Sequence, residues 1–138
     1  MTRKKKKIVI NKRIFTVYDP IFKQEIKVFA NCEDKDLIKF YKRCGIEDKI
    51  AEEEIVFNNF ATHLTKFRTS PIYIIFIRHF EWTLDDMNSL IHEIVHTIIA
   101  IWDKSNIKVS DETEEFFANT IGNLFAEISR KLLNIKVK

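Results

Sequence analysis

The chain has 138 residues, 46% of them hydrophobic and 31% charged, with two glycines, two prolines and a net charge of +3. That length suits one domain, 1–138, with its own core, and the composition excludes a disordered or low-complexity chain. The apolar runs are short and interrupted, so no membrane span is expected, and the mild positive charge makes a nucleic-acid partner unlikely on composition.

The chain opens on a basic run, Arg3–Lys7. Charge runs at chain ends commonly serve solubility, and no interleaved aromatics accompany this one, so 1–7 reads as a flexible basic tail. The apolar stretch that follows, Ile8-Val9-Ile10, is too short for a secretory leader. Cys32 and Cys44 form no Cys-x-x-Cys pair and are too few for a disulfide framework. A cytoplasmic protein with reduced thiols is expected, and the same features fit a virion component made in the host cytoplasm.

Lys7–Ile10, Arg13–Tyr18 and Gln24–Ala30 read as strands from their two-residue alternation, with Asp19-Pro20 marking the turn between the last two. Glu33–Arg43 has Leu37, Ile38, Phe40 and Tyr41 at helical spacing and stops before Gly45. Ile46–Glu54 is charged and reads as helix or loop. Over Ile55–Leu64, Val56, Phe57, Phe60, Ala61 and Leu64 recur at helical spacing and predict a helix. Lys66–Ser70 is a polar connection, and Ile72–Ile77 is the clearest strand, β-branched and aromatic throughout. The twelve phenylalanines lie mostly at periodic positions and read as core.

A long helix then begins after Thr83, a candidate N-cap, with Asp85 and Asp86 in its first turn and no Pro or Gly before Asp103. Its apolar residues cover more than one stripe, so it is expected to be mostly buried. It contains His92-Glu93-Ile94-Val95-His96. On a helix, His92 and His96 stack one turn apart, a spacing that lets both imidazoles reach one Zn²⁺ at about 2.0–2.1 Å. Glu93 lies one residue round and is placed to act as general base on a water. A catalytic zinc takes three protein ligands and keeps one open position.

A second helix is expected after Ser110, a candidate cap, with Asp111 and Glu112 in its first turn. From Glu115, the residues one turn apart are Asn119, Gly122 and Ala126, a small-residue stripe suited to close helix approach. Glu115 is therefore the favoured third ligand, and Glu114, about 100° away, is the alternative. His79 follows the Ile72–Ile77 strand and reads as a surface histidine or as a donor to a developing oxyanion.

His92-Glu93-Ile94-Val95-His96 followed by Glu115-Phe116-Phe117-Ala118-Asn119 resembles the glutamate-zincins (gluzincins) over Pro71–Leu133. The Glu-x-x-Ala-Asn form is similar to small zincin-like peptidases of phages and mobile elements. The resemblance implies a zincin-like α+β fold, one zinc per chain held by His92, His96 and Glu115, and Asn119 supporting a ligating histidine. It implies hydrolysis of a peptide or protein substrate, with Glu93 catalytic. The chain has no counterpart of the large second domain of thermolysin-like enzymes, so the cleft is expected to be open or completed by a protein partner. An α+β domain follows, a small antiparallel or mixed sheet packed on two long C-terminal helices. The alternative function is a structural or interaction protein, virion-associated, that retains the scaffold.

Overall fold

Two strands buried on both faces decide the layering. The computed structural model describes residues 12–45, 60–67 and 70–133. Its elements run β1 (Arg13–Tyr18), β2 (Glu25–Ala30), α1 (Asp34–Arg43), β3 (Phe60–Phe67), β4 (Ser70–Ile77), α2 (Leu84–Lys104) and α3 (Glu114–Leu133). The four strands form one mixed sheet in the order β1-β2-β4-β3. The central pair, β2 and β4, is parallel, with Ile26 opposite Tyr73 and Val28 opposite Ile75, and each edge strand joins antiparallel.

Alternation sends Ile26, Val28, Ala30, Tyr73, Ile75 and Ile77 to one face. There they meet Leu90, Ile94, Ile98 and Ile101 of α2 and Leu124, Ile128 and Leu132 of α3. Phe29, Ile74 and Phe76 point the other way, onto Leu37 and Tyr41 of α1. Each such side chain stabilises the fold by roughly 1.5–3 kcal/mol through burial, so the two faces of the sheet carry most of the stability. The fold is α+β with a mixed sheet, as expected, but α1 adds a third layer on the face opposite the two long helices.

Local chemistry sets the element ends. The Asp19 carboxylate is buried and accepts from the backbone N–H groups of Ile21, Phe22 and Gln24 at 2.9–3.1 Å, ordering the β1–β2 turn. Gly45 closes α1 with φ 81°, a left-handed conformation that glycine adopts without strain. Thr83 caps α2 by accepting from Asp86 N at 3.1 Å, and Asn106 (φ 57°) follows its C-terminus. Arg13 Nη1 donates to Lys131 O at 2.6 Å and Lys131 Nζ donates to Thr16 O at 2.9 Å, which ties the end of α3 to β1.

Four expectations are corrected. Phe60–Leu64 belongs to β3, not to a helix, because spacings of three and four residues at Phe60, Ala61 and Leu64 do not outweigh an antiparallel ladder with β4. Lys66–Ser70 is not a polar connection throughout, since Phe67 pairs with Ser70. Ser110 does not cap α3: it heads a turn whose carbonyl accepts from Thr113 N and Glu114 N, and the first helical bond runs from Phe117 N to Thr113 O. The small-residue stripe of α3 is not its buried face among the described residues. The buried residues of α3 are Thr120, Leu124, Ile128 and Leu132, whereas Glu115, Asn119 and Gly122 are exposed. The strand at Lys7–Ile10, the basic run Arg3–Lys7 and the segment Ile46–Glu54 lie outside the described residues, as does the start of the helix expected from Ile55.

Two measurements check this packing. A Cβ built on Gly122 meets nothing within 4 Å among the described residues. Gly122→Ala should therefore stabilise by about 0.5–1 kcal/mol in chemical denaturation, the mid-helix glycine penalty removed. A loss of stability would place a neighbour against that face. The second concerns Asp36, which is buried and accepts from Glu33 N at 2.8 Å while pairing with the Lys12 ammonium. Burial works against its carboxylate, but the Lys12 and Glu33 hydrogen bonds outweigh it and hold the carboxyl below the usual range. A depressed carboxyl stabilises the fold above its unfolded pKa, about 3.9, and that contribution is lost as pH falls through the folded value. The stability gap between wild type and Asp36→Asn should thus be constant near neutrality and shrink in acid. A gap that grows in acid would contradict the pairing.

Candidate metal centre

The rotation of α2 is set by Leu90, Ile94, Thr97, Ile98 and Ile101, which are buried against the sheet and α3. At ~100° per residue, His92 and His96 each stand roughly 160° from Ile94, on the outward side of the helix. Both are exposed, and Glu93 is half-buried between the two sides. The turn that carries them is anchored from below: Thr97, fully buried, donates its hydroxyl to Glu93 O at 2.8 Å.

Side by side on this face, the two imidazoles present Nε2 to Nε2 at 2.9 Å, their rings edge to face with centroids 4.5 Å apart. In a metal-free pair, one nitrogen donates to the other. The same spacing suits a metal: bonds of ~2.0–2.1 Å place two ligating nitrogens ~2.9 Å apart at a right angle and ~3.3 Å apart at the tetrahedral angle. Neutral imidazole is a good ligand for zinc and its transition-metal neighbours. The pair fits a divalent metal as a two-nitrogen chelate.

The third ligand does not assemble. Among the described residues, no group of three His, Cys, Asp or Glu side chains is placed to hold a metal ion. Glu114 and Glu115 are both exposed in the first turn of α3. Helix α2 continues eight residues beyond His96 before its chain turns back. Two residues after Glu115, Phe117 stacks edge-on against Trp102, with centroids 5.2 Å apart and planes at 71°. Trp102 lies six residues past His96, about 9 Å further along the axis. This contact keeps the start of α3 level with the far end of α2.

The remaining candidates are also dispersed. Asn119 is exposed on α3. His79 follows β4 and its Nε2 lies 2.9 Å from Glu81 Oε1, so an acidic neighbour engages the proposed oxyanion donor. The structure thus brings His92 and His96 together beside Glu93, and among the described residues neither Glu115 nor His79 joins them in a three-residue group. Sequence reasoning did not anticipate an apolar hollow of about 310 Å³ at the C-terminal end of α2, lined by Ile21, Phe22, Trp102, Ile107, Thr113 and Phe116. The β1–β2 turn and the α2–α3 connection build it, and no local pattern announces contacts between segments so far apart in sequence. Among the described residues, no helix is long and apolar enough to cross a membrane.

Comparison with known proteins gives no match to any family model, to any curated protein or to any solved structure.

Metal analysis of two variants tests the ligand set. His96→Ala should lose bound zinc. Glu115→Ala should weaken it at least ~10-fold if that carboxylate completes the site, and leave it unchanged if the two histidines act alone. Full zinc occupancy in both variants would remove the centre altogether.

Proposed function

We propose that this chain is a zinc-dependent peptidase with a zincin-like scaffold, in which His92 and His96 hold the metal and Glu93 is the general base. The observation that carries it is the exposed Nε2 pair at 2.9 Å with Glu93 one residue away on the same helical turn. A purely structural two-histidine site has no use for that glutamate. When bound, zinc supplies Lewis acidity toward a carbonyl and brings the pKa of a water toward ~7.

The protein's own residues do the rest. Glu93 takes a proton from the attacking water and delivers it to the leaving amine, so one carboxyl serves as base and then as acid. The outward face of α2 leaves both exposed histidines open to an extended substrate. Glu115 is the third ligand that the resemblance to the glutamate-zincins implies. Its recruitment requires the first turn of α3 to leave the Phe117–Trp102 contact. Zinc and substrate together are the partners this chemistry needs, and the substrate class is peptide or protein.

A second reading is favoured by one observation. No third ligand joins the histidine pair among the described residues. A structural or interaction protein that keeps the zincin scaffold, with or without metal, accounts for that separation.

Glu93→Gln separates the two. The substitution keeps shape and hydrogen bonding but cannot accept a proton. Zinc content and melting temperature should stay near wild type while peptide hydrolysis falls by at least ~10²-fold, the low end for loss of a general base. Substrates can be found by incubating both proteins with denatured host-cell extract and reading new peptide termini. Equal rates and identical termini from both would exclude a catalytic Glu93.

A further inference from the structure

The face of α2 that carries the histidine pair is unlike an ordinary solvent-facing helix face. Of the whole chain 31% is charged, yet between Asp86 and Asp103 the only charged residue is Glu93. A surface helix normally turns charged side chains to water. Here the outward side presents Asn88, Ile91, His92, His96 and Ile99, all exposed, with Val95 half-buried among them. Ile91 is 38% exposed and Ile99 48%. Ile99 follows His92 by seven residues, so at ~100° per residue the two stand within ~20° of each other around the helix. Apart from Glu93, charge returns only about 10 Å along the axis on either side of the pair, at Asp86 and Asp103.

The pair is also half of a coordination set. Its two Nε2 atoms, 2.9 Å apart, form a two-nitrogen chelate. Zinc takes four ligands in a tetrahedral arrangement. Among the described residues no third His, Cys, Asp or Glu side chain joins these two. Two further donors are needed, and they must approach an exposed, uncharged helix face. A second copy of the same face meets both conditions. It brings two more imidazoles, and a two-fold axis through the metal sets the apolar Ile91 and Ile99 of one copy against the same surface of the other.

We propose that one zinc ion joins two copies of the chain through this face, with His92 and His96 of each copy as its four ligands. The pairing rests on the two histidines being metal ligands, as proposed above, and not on hydrolysis. With four imidazoles the coordination is complete, so the joined state lacks the open position that hydrolysis needs. One ion per two chains therefore defines the closed form of the site, and one ion per chain the open form. The apolar contact is small: two isoleucines and a half-buried valine per copy fall short of the ~1,000 Å² that a specific interface buries, so pairing needs the metal.

Sedimentation velocity on the full chain, with zinc itself as the probe, tests the pairing without calling on hydrolysis. Metal-free protein in EDTA should sediment as a monomer. Zinc at one ion per two chains should double the mass, and EDTA should reverse the change. His92→Ala and His96→Ala should each stay monomeric with zinc present. Ile99→Lys, a change at an exposed position, brings like charges together across the contact. It should weaken pairing at least ~10-fold, while melting temperature and zinc binding by the separate chain stay as in wild type. Zinc-loaded wild type that remains monomeric would overturn the pairing and leave the two-histidine metal site standing, whereas absence of zinc binding would remove both. A dimer that persists in EDTA, or that forms equally in His96→Ala or Ile99→Lys, would overturn the pairing as well.

Discussion

The burial of Leu90, Ile94, Ile98 and Ile101 against the sheet fixes the rotation of α2, and the position of every motif residue follows from it. Four large side chains on one stripe resist rotation by several kcal/mol, since turning the helix by even one residue exposes part of that surface. With the stripe inward, His92 and His96 must face out. The sheet holds the helix from the other side through Tyr73, Ile75 and Ile77, and α1 in turn presses the sheet from behind through Leu37 and Tyr41. The histidine pair is therefore mounted on a rigid element, while its prospective third partner sits on a helix held by different contacts.

Those contacts explain where sequence reading succeeded and where it stopped. Strand alternation at Arg13–Tyr18, the β-branched and aromatic run at Ile72–Ile77, the Thr83 cap and the Gly45 stop are local signals, and the structure repeats them. The histidine spacing is equally local, because i and i+4 meet on any helix. Phe60–Leu64 misled because its apolar spacing fits a helix as well as a strand, and the deciding term is a ladder with β4, which is not local. The stripe from Glu115 through Gly122 misled for a related reason. Small residues permit close helix approach but do not compel it, and the larger Leu124, Ile128 and Leu132 chose the buried face instead. Helix rotation is decided by the greater apolar area.

Two regions of the α2–α3 pair have separate chemistry. The middle of α2 carries exposed imidazoles suited to a borderline metal, and its C-terminal end, with the connection to α3, lines an apolar hollow. Trp102 belongs to both arrangements: its ring stacks on Phe117 at the start of α3, and it lines the hollow.

Zinc K-edge X-ray absorption on the purified, zinc-loaded chain addresses the centre most directly, because it reads the ligand atoms themselves. A metal held by His92 and His96 predicts a shell of nitrogen and oxygen at ~2.0–2.1 Å with the outer-shell scattering of two imidazoles, and no sulfur. Scattering from sulfur at ~2.3 Å would instead implicate Cys32 or Cys44. A spectrum without imidazole features would contradict the histidine pair as the metal site.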